Sequence, residues 1–471
     1  MPTNDPSPAE TRRLPMVNPP DPARLAAERA WLADVATRPW LARKLAFLRH
    51  GGPGYLQSAL TLGGGTASAC LLSGAAFGHQ LLWVAPLGMI LGGIVFAAIA
   101  HQTLSTGMRP FEAMRTHAGP FIAWGWAIGT VIASVVWHFA QYSLASAVLV
   151  DLGAVMGWEL PRFGMGLLVL AWAVPTALSF GAAGSLQRAF DRLMRWMVWG
   201  IVVLFGVVAF RLGMADPGAV AAGFVPSLPP DRGDVSALSV VISGLATAVG
   251  VNMTFLYPHA LLARGWGREH RELARADIVF GMVAPYVIVT ALMVTVAAGT
   301  LSEGFSGKSI SPVEAANTLG SLLGPVFGRV LFDLGLLGML LTTITMHMVC
   351  SGLACSEMFG LRVGSVGYRV ATLLPAPGVL GSLFWGSLSV WLAVPTSVIA
   401  GCMLPLAYFG FLKLQRSKAY LGADRPTGWR GGLWTAGIGL ATLVLVAFLV
   451  TYLIEAGPKF GAQIRSLFGG S

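Results

Sequence analysis

Charge is what this chain has least of. Asp, Glu, Lys and Arg make up 11% of its 471 residues, against 55% hydrophobic, and mean hydropathy is +0.69. That balance excludes a soluble domain and fits a polytopic membrane protein, with the lipid bilayer as its first partner. Cysteine is scarce too. Cys70, Cys350, Cys355 and Cys402 all lie in apolar runs, and no CxxC pair occurs. This excludes a disulfide framework, and the four read as small packing residues. The polar segments contain no phosphate-binding loop, no nucleophile–base pair and no metal-ligand spacing. The longest is the N-terminal stretch of about 50 residues, short for an independent domain. An enzyme and a nucleotide-driven pump are excluded, and no cofactor is expected. The net charge of +10 comes without an interleaved basic–aromatic groove, so nucleic acid is not a partner.

What is present is a series of apolar runs. Eleven candidate spans cover 53–76, 80–102, 121–150, 161–183, 193–211, 236–263, 277–300, 327–355, 368–386, 389–412 and 432–454. The ninth and tenth are divided near Trp385–Ser387 because one helix could not use so long a run. With the N-terminus inside, 24 of the 31 lysines and arginines fall in cytoplasmic segments, as the positive-inside rule requires. The C-terminus is then outside. Residues 1–21 are rich in proline and charge and have no apolar core, so they are not a signal peptide and are expected to be disordered. Residues 22–48 set Leu25, Trp31, Leu32, Val35, Trp40, Leu41, Leu45 and Phe47 among charges. They suit an amphipathic helix on the membrane surface or a helix docked on the bundle.

The first span carries Gly63, Gly64 and Gly65 in its middle. Glycine has poor helix propensity, and lipid offers no partner to free backbone groups. A broken helix survives at that depth only where the opened backbone lines a cavity or a site. A small-residue packing face is the alternative, and it accounts for one or two glycines better than for three. The sixth span is interrupted in turn by Gly250, Asn252, Thr254 and Pro258. Paired interruptions at equivalent places in two halves point to an inverted-repeat secondary transporter with its site at the breaks. The expected substrate-binding set is Gly63, Gly64, Gly65, Thr66, Asn252 and Thr254.

His138 lies mid-span with Gln141 on the same helical face, and His259 lies near the cytoplasmic end of the sixth span. Histidine titrates near neutrality, so His138, Gln141 and His259 are candidates for proton coupling. A neutral His138 bonded to Gln141 is the plainer reading. His347 and Asp333 are expected to pack or cap, and Asp151 and Glu357 to be solvated at span ends.

Three stretches resemble the Nramp family of proton-coupled divalent-metal transporters. They are GPGYL with GAAFGHQLLWV at 52–56 and 74–84, LSTGMRPFEAMR at 104–115, and LYPHALL at 256–262 with His259 at a family histidine. The resemblance implies an all-α polytopic membrane protein of LeuT-type fold. That fold has a five-plus-five inverted repeat and an eleventh transmembrane helix, the first and sixth helices being broken mid-membrane. Its divisions would be a tail at 1–50, repeats at 51–212 and 236–412 joined by an extracellular linker at 213–235, a loop at 413–431, and the last helix and tail at 432–471. A bacterial plasma-membrane protein is implied, and a monomer is expected.

The departures from the family bear on the substrate. The family's Asp-Pro-Gly-Asn run reads Gly63, Gly64, Gly65, Thr66 here. Its Met-Pro-His-Asn run reads Asn252, Met253, Thr254, Phe255. The methionine thus comes one residue late, turned by about 100° on a regular helix. The family's acidic pair in the third span becomes His138 and Gln141. No metal-ligand set remains, because a dication gives up water only to matching ligands and this inventory holds no carboxylate. A half-helix N-terminus rich in glycine suits an anionic group. A small polar or carboxylated organic solute is therefore the favoured substrate on sequence alone. The alternatives are a Mg²⁺ or Mn²⁺ transporter and a membrane sensor that does not transport.

Overall fold

A computed structural model describes residues 14–182, 184–213, 217–233, 235–302, 305, 326–383 and 404–468. Among them the fold is helical, and the only β pairings are two isolated bridges. Six helices are long and apolar enough to cross a membrane, and the bent pair Pro53–Thr61 with Gly64–Phe77 makes a seventh span. The protein is an integral, multi-pass membrane protein. Its second span runs Val84–Thr106, its third Pro120–Val155 and its fifth Ser185–Leu212. The fourth, Arg162–Leu178, is a shorter apolar helix. The sixth is two helices, Ala237–Ala248 and Val251–Ala263. The seventh runs through Arg271–Asp277, a π-helical turn at Ile278–Val283 and Ala284–Leu301. The eighth is Phe327–Phe359, and the last helix is Gly428–Phe468.

The ninth segment differs from expectation. It is a short helix, Val366–Thr372, followed by a 3-10 stretch, Ala376–Ser382, and not one straight helix from residue 368. Pro375 and Pro377 remove backbone donors there, and Gly378 and Gly381 let the chain lie against the backbone of His138 and Phe139. Most of the expected tenth span falls outside the described residues, as does Cys402; residues 404–416 are helical.

The third and eighth spans pack along each other at the centre, and the eighth is buried over most of its length. The near half of the first span, Pro53–Thr61, has every residue buried. It lies in the π-helical turn of the seventh span, where a widened turn frees carbonyls. The Ser58 hydroxyl donates to two of these, Gly281 O at 2.8 Å and Met282 O at 3.0 Å. Gly281 is glycine for space: a Cβ there would lie 2.9 Å from Tyr55 N.

The N-terminal segment docks on the bundle. Helices Pro22–Ala36 and Trp40–His50 lie against the connection from the sixth to the seventh span. Trp266 Nε1 donates to Glu28 at 3.1 Å, Arg29 pairs with Glu269 at 2.5 Å, and Lys44 with Glu272 at 3.1 Å. Trp40, Leu41 and Leu45 nevertheless stay exposed, which is the face a membrane surface would take. Part of the stretch expected to be disordered is held in place. Met16 bridges Val363, with Val17 N–H donating to Val363 O at 2.9 Å and Val363 N–H to Pro15 O at 2.8 Å. Residues 1–13 lie outside the described set.

Candidate functional site

The first break is narrower than the triple glycine suggests. The helix stops at Leu62 (φ −74°, ψ 82°), Gly63 is extended (φ −136°, ψ −173°), and a new helix starts at Gly64, 60° off the first. None of the three glycines has a positive φ. Space is what two of them supply. A Cβ on Gly63 would lie 2.6 Å from Thr343 Oγ1, and one on Gly64 2.5 Å from Leu144 Cδ1. One on Gly65 would make an ordinary 3.5 Å contact with Thr247, and Gly65 is exposed.

Hydroxyls close most of the opened backbone. Thr343 Oγ1 sits 3.0–3.3 Å from the carbonyls of Ala59, Leu60 and Leu62. Thr66 Oγ1 donates to Thr61 O at 2.6 Å. Gly64 N–H donates to Gln141 Oε1 at 3.0 Å. The second break, at Val249 and Gly250, is also extended. It faces the first, because Thr61 Oγ1 reaches Thr247 O at 2.8 Å and Ala248 O at 3.0 Å. One hydroxyl thus ties the two interruptions together. Met253, which the register turned away, bends its sulfur back to within 3.4 Å of Gly250 N.

Of the expected substrate ligands, Thr66 and Thr254 are engaged within the fold. Thr254 donates to Val251 O at 2.6 Å and accepts from Trp126 Nε1 at 2.9 Å. Asn252 is half engaged: its Nδ2 donates to Ser134 Oγ at 2.8 Å, while its Oδ1 is buried without a partner. Among the described residues, no group of three or more His, Cys, Asp or Glu could hold a metal ion.

The coupling candidates separate into two places. His138 is fully buried, and neither ring nitrogen has a hydrogen-bond partner. It is not bonded to Gln141, whose oxygen takes Gly64 N–H. His347 faces it with ring centroids 5.6 Å apart. His259 belongs to another network. Its ring stacks on Phe255, Nδ1 lies 2.6 Å from Phe255 O, and Nε2 lies 3.4 Å from Glu357 Oε1. Arg109 reaches the other oxygen of Glu357 at 3.5 Å.

Two acidic residues are placed differently from expectation. Glu357 and Asp151 are buried and paired, the second with Arg329 through two guanidinium nitrogens. Asp333 is buried beside that pair. Neither pairing is visible in the sequence, since the partners lie 98 and 178 residues apart. Thr61 and Thr343 were missed as well. Their only signal was a hydroxyl at mid-span next to a break.

The family model described as "Natural resistance-associated macrophage protein-like" matches residues 54–454. The chain belongs to the Nramp family. The "Divalent metal cation transporter MntH" of Klebsiella pneumoniae is 24% identical over 424 residues, covering 87% of this chain and 94% of that protein. A crystal structure of an Eremococcus coleocola manganese transporter, bound to an aromatic bis-isothiourea compound, superimposes with a TM-score of 0.70. It is 18% identical and covers 91% of this chain and 92% of its own. MhsT in complex with L-phenylalanine gives a TM-score of 0.56 at 17% identity, covering 84% and 98%. These likenesses establish the LeuT-type fold that the family resemblance implied.

Proposed function

We propose that this Nramp-family chain is a secondary active transporter that moves a divalent metal cation by alternating access. Its N-terminus would be cytoplasmic and its C-terminus outside, in a bacterial plasma membrane. The observation that carries the reading is the pair of facing breaks tied by Thr61, in a chain whose relatives are named as metal transporters. The organic solute favoured by sequence alone is less well supported. It drew on free N–H groups at the Gly64 helix start, and Gln141 holds one of these. The ligands left at the breaks are Asn252 Oδ1 and shared carbonyls. They are neutral oxygens, so the ion would keep part of its water shell, as Mg²⁺ and Mn²⁺ do. His138 and His259 remain the candidates for the coupled proton.

The test is flux into proteoliposomes with an inward proton gradient. Mn²⁺ or Mg²⁺ uptake is expected, with amino and organic acids inert, and the uptake–pH profile is expected to change in His138→Gln. Uptake of an organic acid with no metal flux would replace this reading. Binding of a cytosolic partner without any flux would favour the sensor.

A further inference from the structure

His138 and His347 are both almost fully buried at the centre of the molecule, one on the third span and one on the eighth. Both nitrogens of His138, Nδ1 of His347 and the hydroxyl of Tyr142 are buried without a hydrogen-bond partner. Polar atoms in native interiors are paired in the great majority of cases. Here the unpaired ones occur together: the His138 ring lies 5.6 Å from His347 and 5.3 Å from Tyr142.

The cluster adjoins the breaks. Trp137, half-buried, lies 5.7 Å from the His347 ring and packs on Gly250 at the second interruption. Ser134, one turn before His138, holds Asn252, and the Cys350 thiol, three residues after His347, donates to Asn252 O at 3.6 Å. Two imidazoles sharing one ion at about 2.0 Å per nitrogen bring their ring centroids to about 5–6 Å. The observed separation falls in that window.

We propose that His138 and His347 form a second cation station beside the breaks. It binds a nitrogen-seeking first-row dication, with water completing the shell. Imidazole suits Co²⁺, Ni²⁺ and Zn²⁺, whereas Mg²⁺ and Mn²⁺ seek carboxylate and water, and among the described residues no group of three or more His, Cys, Asp or Glu brings a carboxylate to this pair. Two protein ligands make a station that an ion can leave, which a route needs and a structural zinc site does not. The role in transport rests on the metal-transport reading; the binding chemistry does not.

The test uses the purified full chain. Co²⁺ is titrated and followed by its visible absorption, and Zn²⁺ by calorimetry, with Mn²⁺ flux measured in parallel. Saturable Co²⁺ binding with an imidazole-type spectrum is expected, weakened at least about tenfold in His138→Gln and in His347→Gln, and weakened at low pH as protons displace the ion. Tyr142→Phe, which keeps the ring, is expected to change affinity less than threefold. Size-exclusion profile and metal-free melting temperature report whether each variant folds, and if one does not, the other decides. Equal Co²⁺ affinity in a folded His variant, or no saturable binding, overturns the station. Should Mn²⁺ flux persist in that case, metal transport stands without it. If Co²⁺ binding depends on both histidines but no metal crosses, the station stands and the transport reading falls.

Discussion

The near halves of the two broken spans, toward the arginine-rich end, contrast with the far halves. All of Pro53–Thr61 and all of Val251–Leu262 are buried. In the far halves, Gly65, Ser239 and Ser243 are exposed, and Thr247 is half-exposed. The near end is also cross-tied. Arg264 pairs with Asp191 at 2.6 Å, Arg195 reaches Gly51 O and covers the Tyr55 ring, and Asp277 accepts the N–H groups of Gly52 at 2.7 Å and Gly54 at 2.5 Å. The difference teaches that this is a state closed at the arginine-rich end. Among the described residues, the exposed positions beside the breaks lie on the far side.

The strongest way to break that contrast is to remove Asp277. Asp277→Ala orphans two buried N–H groups at the start of the near half-helix, at a cost of about 1–3 kcal/mol each. In a background without native cysteines, a cysteine at Ser243 is expected to react with an impermeant thiol reagent and one at Ala59 is not. Adding Asp277→Ala should make the Ala59→Cys site reactive. If Ala59→Cys labels as fast as Ser243→Cys before that change, the closed end is disproved.

A smaller effect sharpens the glycine run. Gly64→Ala drives a methyl into Leu144 and is expected to destabilise by about 1–3 kcal/mol, whereas Gly65→Ala meets only ordinary contact. Thermal denaturation of the two variants should differ by several degrees, and equal melting points would make space the wrong account of Gly64.

The smallest effect lies in the loop at the near end. Burial pushes the Asp424 carboxyl up, but Arg271 and Arg268 overcome this and hold it below the usual carboxylate range. Its stabilising contribution is therefore present above the unfolded-state value and is lost as pH falls through the lower folded one. Asp424→Asn should cost less than about 1 kcal/mol near neutrality, as partly exposed pairs do, and nothing in strong acid. A loss that grew in acid would reverse the sign.

The breaks and the spans were legible because lipid forces apolar runs into helices and makes interruptions conspicuous. The reason for glycine at the first break was not. Three adjacent glycines look like freedom of torsion, but Gly63 and Gly64 answer to the bulk of Thr343 and Leu144, which only packing brings near. His138 stood out as a lone ionisable residue. His347 stood out too but was read as packing, since the histidine it faces lies on another span. Glu357 looked solvated because it ends a helix, yet the loop carrying Arg109 and the half-helix carrying His259 close over it.

The contact of Asp277 with Gly52 and Gly54 also sets an order of assembly. The cap of the near half-helix is encoded 225 residues after Gly52. At about 5–20 residues per second, the ribosome supplies it some tens of seconds later. During that interval the first span enters the membrane with its N-terminal turn unsatisfied, and the docking strip Arg264–Asp277 for the N-terminal helices does not yet exist. The arginine-rich end is therefore completed only after the seventh span begins to emerge. A nascent chain stalled before residue 277 should leave the Gly51–Gly54 turn open to protease.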